Sequence, residues 1–181
     1  MSMMYLMRTT ILGGAIALAG GVAAADPLAV SDVEVRTDLT DFENSNALDY
    51  WPELAADLGA AITERVNLTG KAEHPSITVE VTEIAVDGST ILPESGEFNQ
   101  LVGVVIGEPG ESTIEKPEKA SDQPQPFVNV PVILHATEGE ATGGPDVIVI
   151  PPSQDDFYHA MLDAFADIVV EKVDEKKGEA L

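Results

Sequence analysis

Residues 49–66 read DYWPELAADLGAAITERV, and their periodicity decides the fold. Trp51, Leu54, Leu58, Ile62 and Val66 recur at three- and four-residue steps, with Ala55 and Ala61 beside them. Glu53, Asp57, Thr63 and Glu64 fall mostly elsewhere. That spacing predicts an amphipathic helix whose single apolar stripe must be covered by another layer. Asp49 is its expected N-cap, because it places Pro52 at the third helical position, where the missing N–H forfeits no helical bond. Gly59 weakens such a helix by roughly 1 kcal/mol relative to Ala. We expect it to allow close approach to a sheet.

The flanking segments supply that sheet. In AVSDVEVRTDL (residues 29–39) Val33 and Val35 alternate with Asp32, Glu34 and Arg36, the two-residue period of a half-buried strand. ITVEVTEIAVDG (77–88) alternates through Ile77, Val79 and Val81, then shifts phase to Ile84 and Val86, which predicts a bulge near Glu83. QLVGVVIG (100–107), FVNVPVILHAT (127–137) and DVIVIPP (146–152) are three more Val- and Ile-rich segments bounded by turn residues. Pro131 confines the second of these to a sheet edge or a bulge.

Ser153 and Asp156 resemble a capping box ahead of a second helix. Its apolar face is Tyr158, Met161, Leu162, Phe165, Ile168, Val169 and Val173. Asp155 and Asp156 complement the positive end of its dipole, and Lys172, Lys176 and Lys177 the negative end before Gly178. The element order β-α-β-β-β-β-α defines an α+β fold. It is a two-layer α/β sandwich with a mostly antiparallel sheet of about five strands and two helices on one face. One domain is expected over residues 26–178, with a mobile acidic, Pro-rich loop at 108–126 and a frayed tail at 179–181.

Residues 1–25 read as a secretory signal peptide: Arg8, an apolar run from Ile11 to Val22, then Ala23-Ala24-Ala25 as an A-x-A cleavage site. The apolar run falls short of the roughly 20 residues that a membrane-spanning helix needs. Cleavage after Ala25 removes Arg8 and no acid, so the remaining chain is one unit more negative than the −23 of the whole. No cysteine is present, which excludes disulfides, thiolate metal sites, cysteine nucleophiles and a lipid-bearing cysteine after the leader. Export without disulfides points to a bacterial periplasm, or secretion, with no membrane anchor after leader cleavage. With 32 Asp or Glu against 9 Lys or Arg, nucleic acid and anionic lipid are disfavoured as partners.

Few residues offer chemistry. His74, before Pro75, reads as a solvated turn residue. His135 reads as a polar-face strand residue, with metal ligation alongside Glu138 and Glu140 the rarer alternative. His159 has Asp155 and Asp163 one helical turn away on either side, a spacing that suits zinc or simple stabilisation of an imidazolium. DLTDFEN (38–44) offers Asp38, Asp41 and Glu43 without the spacing of a calcium loop. No G-x-S-x-G, Walker, G-x-G-x-x-G or H-E-x-x-H motif follows the leader. We assign no catalytic residue, no cofactor-binding residue and no metal ligand.

From Val33 to Val66 the chain resembles the start of the amino-terminal domain of TolB and related envelope proteins. There, a Val-x-Val strand leads through Phe-x-Asn to a Leu-Ala-x-x-Leu helix. The matching positions are Val33, Val35, Phe42, Asn44, Leu54, Ala55 and Leu58, in the first strand and helix only. The resemblance implies a non-enzymatic interaction module of the periplasm. The expected function is therefore an interaction or accessory protein of the cell envelope with an envelope protein partner. The alternative is a periplasmic small-molecule or divalent-cation-binding protein, with calcium the first ligand to try. Nothing in the sequence sets an oligomeric state.

The charge imbalance makes a prediction. Folding draws like charges together, so screening should stabilise the compact state. The Debye length shrinks from about 30 Å at 0.01 M salt to about 3 Å at 1 M. The melting temperature should rise with sodium chloride up to a few tenths molar, equally with potassium chloride. A flat or falling melting curve would show the acids already paired or spread apart.

Overall fold

The computed structural model describes residues 27–42, 44–111, 125–137 and 154–180. Its centre is the strand β4 (Ser76–Ala85), flanked by β2 (Asp32–Thr37) and β5 (Gln100–Glu108), with β6 (Val128–His135) beyond, in the order β2-β4-β5-β6. β2 runs parallel to β4, pairing Val33 with Ile77 and Val35 with Val79. The other two pairings are antiparallel. A parallel pair needs a crossover, and α2 (Leu54–Arg65) lies in the connection from β2 to β4. Two further strands, β1 (Ala29–Val30) and β3 (Asn67–Leu68), form a small parallel pair of their own. Two residues each is too short for a periodicity to show.

The layering agrees with the α+β reading of the sequence. α2 packs on β2 and on α3 (Gln154–Ala180), and α3 packs on β5 and β6. Leu54, Leu58 and Ile62 of the stripe are fully buried and join Val79, Val81, Ile84, Leu101 and Val105 of the sheet in one apolar cluster. From α3, Met161, Leu162, Phe165, Val169 and Val173 complete it. Each such side chain contributes roughly 1.5–3 kcal/mol on leaving water. Among the described residues no polar or charged residue is buried. The expected bulge is present: the register shifts between Val81 and Glu83, which leaves Thr82 without a partner.

The first helix begins differently from expectation. Asp49 caps nothing; it sits inside a short helix, α1 (Ala47–Tyr50). The chain leaves helical geometry at Trp51, with φ −123° and ψ 62°, and re-enters at Leu54. The residue before a proline is sterically pushed out of the α region, so Pro52 splits the segment rather than being absorbed into its first turn. The other helix overruns its expected end, since α3 continues through Gly178 to Ala180. Gly178 has free space around it and no left-handed backbone to stop the helix.

β6 ends the described sheet, which agrees with an edge role for Pro131. Several expectations lie outside the described residues: the leader 1–25, residues 112–124 of the loop, the strand 146–152 and Ser153 of the capping box.

Two glycines contact the opposite layer in different ways. A methyl at Gly59 would meet the Val35 side chain at 3.6 Å, an ordinary contact. The close approach expected there does not require glycine. At Gly103 a methyl would come within 2.9 Å of the Glu80 carbonyl oxygen and 3.2 Å of the Phe165 ring. Gly59→Ala should therefore stabilise the protein by roughly 0.5–1 kcal/mol, through helix propensity and a less free unfolded chain. Gly103→Ala should destabilise it by about 1–3 kcal/mol through overpacking. Urea unfolding of both variants checks the two signs.

Candidate functional site

The helix layer is fastened at two polar points. At one, Trp51 stacks on Tyr158 with centroids 4.0 Å apart and rings inclined by 7°. Phe98 meets both edge-on at 6.3 Å. The indole N–H of Trp51 donates to the Gly96 carbonyl at 2.7 Å, and the Tyr158 hydroxyl donates to Asp57 at 2.7 Å. Burial first, then this hydrogen bond and the charges of Asp57 and Glu53, push the Tyr158 hydroxyl well above its ordinary range. At the other point, Arg65 at the end of α2 donates to Asp163 at 3.0 Å and also to Asp167 of α3. Burial alone would lower the Arg65 pKa, but the bonds and charges of Asp167 and Asp163 outweigh it and raise it. Both points hold structure together; neither leaves a reactive group facing an enclosed space.

The histidines do not converge. His74 has Nδ1 2.7 Å from the Thr69 hydroxyl in the turn before β4. His135 is exposed at the end of β6, while Glu138 and Glu140 lie outside the described residues. His159 is exposed on α3, edge-on to Tyr158 at 5.2 Å, and its neighbour Asp163 is engaged by Arg65. Asp38 closes a local turn by accepting from the Thr40 hydroxyl at 2.6 Å and the Thr40 N–H at 3.1 Å, which holds its carboxyl below the usual range. Asp41 lines an open hollow of about 660 Å³ with Asn44, Ser89 and Ile91. Glu43 lies outside the described residues. Among the described residues no three His, Asp or Glu side chains gather as a metal set.

The feature that stands out is the sheet face turned away from the helices. Cross-strand register builds it row by row. Glu34, Thr78, Ile106 and Asn129 form one row; Arg36, Glu80, Val104 and Pro131 the next; Glu83, Val102 and Ile133 the third. Within these three rows the columns on β5 and β6 are mainly apolar and those on β2 and β4 mainly charged, while Gln100 and His135 at one end, and Asp32 and Ser76 at the other, are polar. Ile133 is 66% exposed and Pro131 is exposed beside it. Val102, Val104 and Ile106 are half-buried, in contrast to the buried Leu101, Gly103, Val105 and Gly107 that alternate with them. Arg36 pairs with Glu80 at 3.4 Å, and Gln100 donates to Glu83 at 3.0 Å.

In the sequence QLVGVVIG and FVNVPVILHAT read only as strands. The available signal was the placing of glycines: Gly103 and Gly107 share the helix-facing side with Leu101 and Val105, so Val102, Val104 and Ile106 fall on the other side. No protein-family model, curated protein or solved structure matches the chain. No described helix is long and apolar enough to cross a membrane.

The Tyr158–Asp57 bond carries a pH signature. A phenol whose pKa is raised on folding stabilises the protein fully below the unfolded value of about 10. That stability is lost as pH climbs toward the folded pKa, because the unfolded chain then releases a proton that the native one retains. Tyr158→Phe should cost about 1–3 kcal/mol at neutral pH, with the gap to the parent protein narrowing above about pH 10. Urea midpoints from pH 7 to 11 measure it; a gap that widened would disprove the assignment.

Proposed function

We propose that the chain is a non-enzymatic interaction or accessory protein of the cell envelope, working in soluble form in the periplasm after its leader is removed. The observation that carries this reading is the apolar half of the open sheet face, with Ile133 66% exposed at its margin. An antiparallel sheet with one solvated face ordinarily alternates apolar-in with polar-out. Contiguous exposed apolar surface rimmed by polar groups marks contact with another molecule. The resemblance of residues 33–66 to TolB-type envelope domains and the secretory character of residues 1–25 support the same compartment and role.

Position-specific photo-crosslinking in envelope-intact cells tests the reading. A photoreactive residue in place of Ile133 should give discrete adducts, while one in place of the exposed Glu64 on α2 should give none. The parent protein should be released by osmotic shock. Equal labelling at both positions, or retention in the cytoplasm, would refute the proposal.

A further inference from the structure

We infer that the open face takes a basic partner: a protein segment with an apolar stripe flanked on one side by Lys or Arg. This inference rests on the interaction-protein reading and specifies its partner. The stripe would seat on Val102, Val104 and Ile106 of β5 and on Pro131 and Ile133 of β6. The basic flank would reach Glu34, Glu80 and Glu83 on β2 and β4, the adjoining columns of the same rows. Neighbouring strands lie about 4.8 Å apart, so β4 and β6 are about 10 Å apart, the width of one helix, and β2 lies one spacing further, on the side that the basic flank would cover.

Charge decides between occupants. A second copy would bring Glu34, Glu80 and Glu83 against the same acids, in a chain of net charge −23. The one cation in those rows, Arg36, already bridges Glu80. Self-association therefore adds like-charge repulsion, whereas a basic partner relieves it. Anionic lipid and nucleic acid meet the same repulsion. Strand addition at the rim of β6 is also disfavoured, because Pro131 has no N–H to donate. What remains is docking on the face rather than at the edge.

The test uses the full mature chain, labelled with ¹⁵N, and three synthetic helical peptides of equal length. One carries a Leu stripe with Lys flanks, one a Leu stripe with Glu flanks, and one Lys with Ser replacing every Leu. The Leu–Lys peptide should shift amides around Glu80, Val102, Val104 and Ile133 saturably, and the other two should not. Ile133→Asp should weaken this binding by about 10-fold or more, even though it adds an acid; attraction by charge alone would make it tighter. Glu80→Gln should weaken it less and reduce its salt dependence. Both variants should keep the parent melting temperature within a few degrees, as expected for exposed positions.

Shifts centred on Asp163, Asp167 and Glu171 of α3, or tighter binding by Ile133→Asp, would overturn the inference. Binding of the Leu–Glu peptide at the face would overturn the basic partner while leaving an interaction face in place. A sedimenting dimer that protects Ile133 would replace the basic partner with a second copy. No peptide at the face, combined with no crosslink at position 133, would remove the interaction reading itself.

Discussion

The ring of Phe165 lies over the one place in the middle of β5 where Gly103 has no side chain, and the arrangement of the layers depends on that seat. A methyl there would come within 3.2 Å of the ring and within 2.9 Å of the neighbouring strand's Glu80 carbonyl. With Phe165 seated, α3 covers β5 and β6, α2 lies beside it over β2, and Met161, Leu162, Val169 and Val173 bury against the same sheet face. Side chains alternate along a strand, so putting glycine on the helix side of β5 puts Val102, Val104 and Ile106 on the other. The seat that closes the core thereby leaves an apolar strand looking outward.

Charge is kept out of this interior. With no buried charged or polar residue among those described, the core gains nothing from ion pairs, and the acid excess acts only at the surface. There its organisation is uneven. Arg65 collects two carboxylates from α3 and ties the helices together, while Asp38 satisfies itself on its own turn. Exposed pairs such as Lys172 with Glu175 contribute little, because solvent screens them. The acids of β2 and β4 have one cation, Arg36, in their rows, so that part of the surface is left with surplus negative charge beside apolar columns.

Much of this was legible in the sequence because the signals are periodic. The three- and four-residue steps of Leu54, Leu58 and Ile62, the alternation of Ile77, Val79 and Val81, and the phase shift at Glu83 each follow from geometry that a single segment expresses by itself. Contacts between segments are not written that way. Nothing near Arg65 announces that its partners lie on another helix, and nothing near Trp51 announces Tyr158 or the Gly96 carbonyl. The displaced start of α2 was an error of another kind. Pro52 is harmless to a helix at its third position, but the same ring disfavours helical geometry at Trp51, and in this chain that steric effect prevails over the cap at Asp49. The open face was missed because valine in a strand has two readings, strand propensity and contact surface, and composition does not separate them.

Position within the sheet does separate them. β-Branched residues on the inner strand β5 stabilise a pleated surface whether or not anything docks there, so Val102, Val104 and Ile106 alone would argue nothing. The outer strand of the described sheet is different. Threonine at position 133 would retain β-branching while offering water a hydroxyl, yet the residue is isoleucine, 66% exposed. Pro131, directly across from Val104, lowers strand propensity instead of raising it. These two residues extend the apolar surface in the direction where folding gains least from it. The proposed partner contact supplies a reason for both residues that the described sheet does not.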